Sequence, residues 1–224
     1  TTVYRMLRYR RKAYNDVLYG KQLQYKRSDE LYELWGFMKL AESFQRIGYS
    51  VDQEETVMEE AQRIWALKKE STFIRLVYDE PVPRDPRAMS KKTPYYTLQN
   101  NRPDCRIDVW EKEQLCGSLV IDFKYRNPQF IWQESILQTP EEVPSTMMQL
   151  EAYASNFRTD FRLLGLEQNR YVEMRPVHEV WVLYPLKATD AEMKSKEEER
   201  MIARNPYGIR LLDMSPSFDH TYLD

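Results

Sequence analysis

Two stretches of alternating side chains, residues 104–110 and 118–125, constrain this chain more than any other feature: they commit its middle to a β-sheet. Successive side chains of a strand point to opposite faces. In the first stretch Cys105, Ile107 and Val109 therefore share one side, and Asp104, Arg106 and Asp108 the other. In the second, Leu119, Ile121, Phe123 and Tyr125 lie opposite Val120, Asp122 and Lys124. Residues 111–117 read as the turn of a β-hairpin. If the apolar sides coincide, Asp104 or Asp108 comes across from Asp122 and Lys124. The pattern leaves both registers open.

The flanking segments interleave helix and strand signals. Residues 3–24 read as a helix of mixed charge. Ser28 offers an N-cap with Asp29 and Glu30 in the first turn, where negative charge is favoured, and a helix over 29–47 is closed by Gly48. Further helices are predicted over 55–69, 145–158 and 189–204, and strands over 72–78, 179–184 and 209–212. Residues 80–103 hold five prolines and read as a long, partly irregular loop, as do 127–144. The implied class is α/β, one domain with a central mixed sheet flanked by helices. Residues 1–27 read as a helical extension at a junction to an upstream domain, and residues 28–224 as the domain itself. The opening Thr-Thr-Val, read as mid-helix, suggests a piece of a longer protein.

With 42% hydrophobic residues the chain can bury a sizeable core, and its net charge of −2 announces no nucleic-acid partner. Residues 1–50 do carry ten Lys/Arg against five Asp/Glu, a run able to contact phosphates or simply to form a solvated helix face. Two cysteines and two histidines exclude a disulfide framework, a four-ligand zinc site and a His-rich metal centre. No apolar run approaches the roughly 18 residues of a membrane span, so the sequence reads as soluble and cytoplasmic.

The acidic face of the hairpin has a chemical rationale. Hydrolysis of a phosphodiester needs a hard cation to offset developing charge and activate water. Magnesium takes oxygen ligands, usually one or two carboxylates, and keeps waters for the rest. A neighbouring lysine can orient the water or balance the phosphate. The competing reading is an ordinary surface ion pair between Asp122 and Lys124. A third acid, Glu33, falls on the helical stripe of Phe37, Leu40, Phe44 and Ile47, where a charge is costly unless paired or ligating. Its alternative is a carboxylate that reaches outward to solvent.

At these residues the sequence resembles the PD-(D/E)xK nuclease superfamily. Arg102-Pro103-Asp104 and Val120-Ile121-Asp122-Phe123-Lys124-Tyr125 resemble its signature, with Phe123 where alanine is usual. The segment from Gln149 to Tyr153 resembles the Gln-xxx-Tyr helix of its RecB- and Cas4-like branch. Tyr32-Glu33-Leu34-Trp35 with Leu40 and Gly48, and Val182-Leu183-Tyr184-Pro185, resemble pieces of the McrC-like nucleases. The resemblance implies a restriction-endonuclease-like fold and a magnesium-dependent (or manganese-dependent) endonuclease cutting DNA. It implies Asp104, Asp122 and Lys124 as the catalytic core and Glu33 as a helix-borne acid, with Asp104, Asp122 and Glu33 as metal ligands. Gln149 and Tyr153 would support the site or touch nucleic acid, with Asp108 as the alternative first acid. In that family the enzyme is the cleavage subunit of a restriction or defence system and works with an AAA+ GTPase or ATPase motor. A nuclease-fold domain that binds nucleic acid or a motor without cutting is the rival expectation.

Overall fold

The hairpin forms the centre of a mixed sheet. A computed structural model describes residues 28–59, 63–99, 101–126, 131, 145–160, 176–185 and 208–215. The helices predicted over 3–24 and 189–204, the extension 1–27 and most of the loop 127–144 lie outside the described residues. In chain order the elements are α1 (Ser28–Arg46), β1 (Ser50–Val51), β2 (Val57–Met58), β3 (Arg63–Lys69), β4 (Thr72–Tyr78), a short 3-10 turn (Pro86–Ala88) and β5 (Tyr96–Thr97). There follow β6 (Cys105–Glu111), β7 (Gln114–Phe123), α2 (Ser145–Asn156), β8 (Phe157–Arg158), β9 (Val177–Tyr184) and β10 (Ile209–Asp213). The main sheet runs β1-β3-β4-β6-β7-β9-β10, with β2 also paired to β3, while β5 and β8 form a separate two-stranded ladder. β9 runs parallel to both β7 and β10, and the other pairs are antiparallel. The protein is α/β with a central mixed sheet.

Both faces of this sheet are covered. On one side Ile107, Ile121 and Phe123 pack with Tyr32, Phe37 and Leu40 of α1. On the other, Val120, Val180 and Val182 pack with Leu150, Tyr153 and Ala154 of α2. That double burial explains one correction. Residues 55–69, expected as a helix, form β2 and β3 instead. Ile64, Trp65, Ala66 and Leu67 are consecutive buried residues. A strand enclosed on both faces reads as an unbroken apolar run, which periodicity alone does not distinguish from a buried helix. The loop over 80–103 likewise contains the Pro86–Ala88 turn and β5.

The hairpin turn is tighter than the sequence suggests. β7 begins at Gln114, opposite Glu111, so only Lys112 and Glu113 lie between the strands. Both adopt positive φ, 47° and 73°, the conformation a two-residue hairpin turn demands. The surplus residues are absorbed by a bulge, where Val109 faces Gly117 and Trp110 faces Leu115. Beyond it the alternation resumes, and strand geometry ends at Phe123, two residues short of the expected 125.

α1 starts at Ser28 and closes as expected. Gly48 has φ +98°, and Tyr49 N–H donates to Phe44 O at 3.0 Å, which terminates the helix through a left-handed residue. Within α1, Gly36 permits the closest approach to the sheet: a Cβ there would lie 2.3 Å from the Phe123 ring. Phe123 is itself buried between two residues central to the acidic face. Gly36→Val should therefore lower stability by about 1–3 kcal/mol, measurable by urea denaturation, and an unchanged midpoint would contradict this packing.

Candidate active site

The register of β6 on β7 decides between the two first acids. Cys105 pairs with Ile121, so Asp104, one residue earlier, is carried to the level of Asp122. Asp108 pairs with Ser118, four residues from Asp122 and so about 13 Å along the strand. Asp108 is fully buried and its oxygens are occupied. Both accept from Arg106 Nε at 2.9 Å, and Oδ1 also accepts from the Ser118 hydroxyl, which in turn meets Tyr95. Arg106 lies over the Tyr95 ring, 5.2 Å from its centre. This network locks the hairpin and engages both Asp108 oxygens. The structure therefore does not bring Asp108, the alternative first acid and supporting residue, to Asp122: four strand positions separate the two.

At the other end of the strands the polar groups are not satisfied. Asp104 Oδ2 accepts from the backbone N–H of Phe123 at 2.7 Å. Asp122 is fully buried, and no donor is aligned to hydrogen-bond either of its oxygens, although the Asp104 carboxyl, when protonated, is within reach as one. Lys124 Nζ stands 2.8 Å from Asp122 Oδ2, close enough for an ion pair but without hydrogen-bond alignment. Lys124 lies just beyond β7, yet its N–H donates to Leu183 O at 2.9 Å, so β9 fixes where its side chain departs. The ion pair allowed by the sequence is thus present, but buried at Asp122 rather than on the surface.

Burial, followed by the charge of Asp122, pushes the Asp104 carboxyl up to about 9, against the pull of Lys124. Glu33 is also raised, first by burial, while a hydrogen bond from the Tyr78 hydroxyl at 3.3 Å opposes the shift. Tyr153 completes the α2 side. Its hydroxyl accepts from Gln149 Nε2 at 2.6 Å and donates to the Arg102 carbonyl at 3.1 Å, tying the helix to the residue before Pro103-Asp104. Burial and then the charge of Asp122 raise the Tyr153 hydroxyl, which places it beside the pair. Gln149 and Tyr153 lie one turn apart on α2 and hydrogen-bond to each other.

Glu33 stands close enough for its charge to act on Asp104 and for that of Lys124 to act on it, and its hydrogen bond is from Tyr78. Among the described residues no three His, Cys, Asp or Glu side chains form a group able to hold a metal ion. Asp122 lies on the face covered by α2, whereas Glu33 comes from α1 on the other face and meets the site at the strand ends. There it helps line an open cleft of about 430 Å³ with Lys124 and Arg126. The two-carboxylate set Asp104 and Asp122 remains, a number that suits magnesium. Sequence reasoning missed the Arg106–Asp108–Ser118–Tyr95 network, although three polar residues alternating along β6 were its visible trace. It also missed Tyr78, which hides in an otherwise apolar strand.

The chain matches no family model, no curated protein and no solved structure. The site therefore has to be judged on its own geometry.

A carboxyl raised in the folded state binds its proton more tightly there than in the unfolded chain. Stability of the metal-free protein should consequently fall as pH rises from the ordinary value of 3.8 towards about 9. Melting temperatures recorded in EDTA across this window should show the decline, and Asp104→Asn should flatten it. A melting temperature that instead climbs with pH would show that the buried pair is not under this strain.

Proposed function

We propose that this chain is a metal-dependent nuclease that hydrolyses DNA phosphodiester bonds, with a restriction-endonuclease-like domain as its catalytic unit. The observation that carries the reading is the buried Asp122, set against a second carboxyl whose proton affinity it raises and beside an ammonium group 2.8 Å away. Burying two carboxyls together is costly even beside one ammonium, and a divalent cation is the partner that turns that cost into affinity. Asp104 and Asp122 are the residues that would hold magnesium, or manganese in its place. The bound ion would supply charge neutralisation at the phosphate and a more acidic water.

The remaining steps belong to the protein. Lys124, fixed through its backbone to β9, presents its ammonium at the open end of the pair, where it orients the attacking water and offsets charge on the phosphate in the transition state. The Phe123 N–H holds Asp104 in place. Tyr153, anchored by Gln149 and the Arg102 carbonyl, shields the α2 side of the carboxylates from solvent. Glu33 contributes negative charge at the cleft.

The resemblance to the PD-(D/E)xK signature supports this reading, because the signature residues Asp104, Asp122 and Lys124 are the ones that converge. A place in a restriction or defence system and an AAA+ motor partner rest on the resemblance alone, and a cytoplasmic setting on the lack of a long apolar run in the sequence. No helix among the described residues is long and apolar enough to cross a membrane.

Asp122→Ala and Lys124→Ala should each reduce magnesium-dependent nicking of supercoiled plasmid by at least about a hundredfold. The variants should retain the wild-type circular dichroism spectrum. Cleavage that persists in both would remove this site from the mechanism. In parallel, Mg²⁺ or Mn²⁺ should raise the melting temperature of the wild-type chain and leave Asp122→Asn unmoved. Metal stabilisation without any cleavage would instead favour a domain that binds nucleic acid or a partner without cutting.

A further inference from the structure

The cleft beside the carboxylates carries more information than the catalytic reading uses. It lies between the start of α1, with Ser28, Asp29 and Glu33, and the chain leaving β7 from Phe123 to Arg126. It is an open cleft of about 430 Å³. Lys124 belongs both to the cleft wall and to the ion pair with Asp122, so whatever occupies the cleft adjoins the scissile position.

The cleft also has an aromatic wall with an unusual presentation. Immediately after β7, Arg126 N–H donates to Lys124 O at 2.7 Å, closing a three-residue turn with Tyr125 at its apex. Tyr125 is consequently 55% exposed, in contrast to the buried Phe123 two residues earlier. Its ring is braced by Tyr32, with centroids 5.6 Å apart and planes inclined by 50°. The chemistry around it is divided. Lys124 and Arg126 offer positive charge, while Asp29 and Glu33 would repel a phosphate and accept hydrogen bonds from ring or exocyclic N–H groups.

From this division we propose that the cleft is a nucleotide subsite: it takes one unpaired nucleotide of a DNA strand, with the base stacked on Tyr125 and facing the acids of α1, and the adjoining phosphate on Lys124 and Arg126. The proposal rests on the nuclease reading and names its substrate class: single-stranded DNA, or a frayed or flipped position in a duplex. Tyr125 is then a binding residue that sets preference for unpaired strands, since base–aromatic stacking is indifferent to sequence.

The test measures binding separately from cleavage. The full chain carrying Asp122→Asn is titrated in Mg²⁺ against a short fluorescein-labelled single strand and against the same sequence as a blunt duplex. Tyr125→Leu, which keeps an apolar contact with Tyr32 but removes the ring face, should weaken single-strand binding by roughly tenfold and change duplex binding less than twofold. Tyr125→Phe should bind as the parent does. The proposal is overturned if Tyr125→Leu binds the single strand unchanged, or if both substrates weaken equally. Should the wild-type chain cut no DNA while the Tyr125 effect holds, the nuclease reading falls and the subsite stands. Should cleavage proceed while Tyr125→Leu binds normally, the subsite falls and the nuclease reading stands.

Discussion

The arrangement at this site depends on how β6 is registered against β7. With Cys105 opposite Ile121, the carboxyls of Asp104 and Asp122 meet on the face covered by α2, and the apolar side chains of both strands meet on the face covered by α1. A slip of one residue would turn every one of these side chains to the other face. Two features resist it. The buried ion pair of Arg106 with Asp108 is joined to Ser118 and Tyr95 only where Asp108 faces Ser118. The bulge near Trp110 absorbs the residues that the two-residue turn leaves over.

Two kinds of buried charge sit along one strand face, and they are treated oppositely. Asp108 receives a guanidinium and a hydroxyl, so its burial is compensated within the protein. Asp122 has the Lys124 ammonium at 2.8 Å and is set against a second carboxyl, that of Asp104. Buried carboxyls placed together shift one another's proton affinity, and such perturbed groups tend to mark function. The contrast between neighbours on the same face sharpens that inference, because the fold gives Asp108 a guanidinium and no carboxyl neighbour of this kind.

Much of the candidate site was legible in the sequence because a strand alternates strictly. Asp122 and Lys124 had to share a face, Gln149 and Tyr153 had to sit one helical turn apart, and Gly48 had to end a helix. β4, β9 and β10 were readable for the same reason. What failed did so where local pattern is degenerate. Ile64 to Leu67 is apolar throughout, and only pairing with β4 on one side and β1 and β2 on the other makes it a strand. Glu33 was placed correctly on the helix, but no local pattern showed that α1 packs on the face of the sheet opposite α2.

The amino-acid order alone therefore determined the types of most elements, the polar and apolar faces of the hairpin, and the set of residues with suitable chemistry. It could do so because those properties depend on backbone periodicity, which is local. Only the tertiary structure decided that Asp104 and not Asp108 meets Asp122, that Glu33 stands across the sheet, and that Tyr125 is lifted out of the core. Each of those outcomes turns on strand register, layer order or a chain reversal. All three are set by contacts between residues far apart in the chain, and no local pattern encodes them.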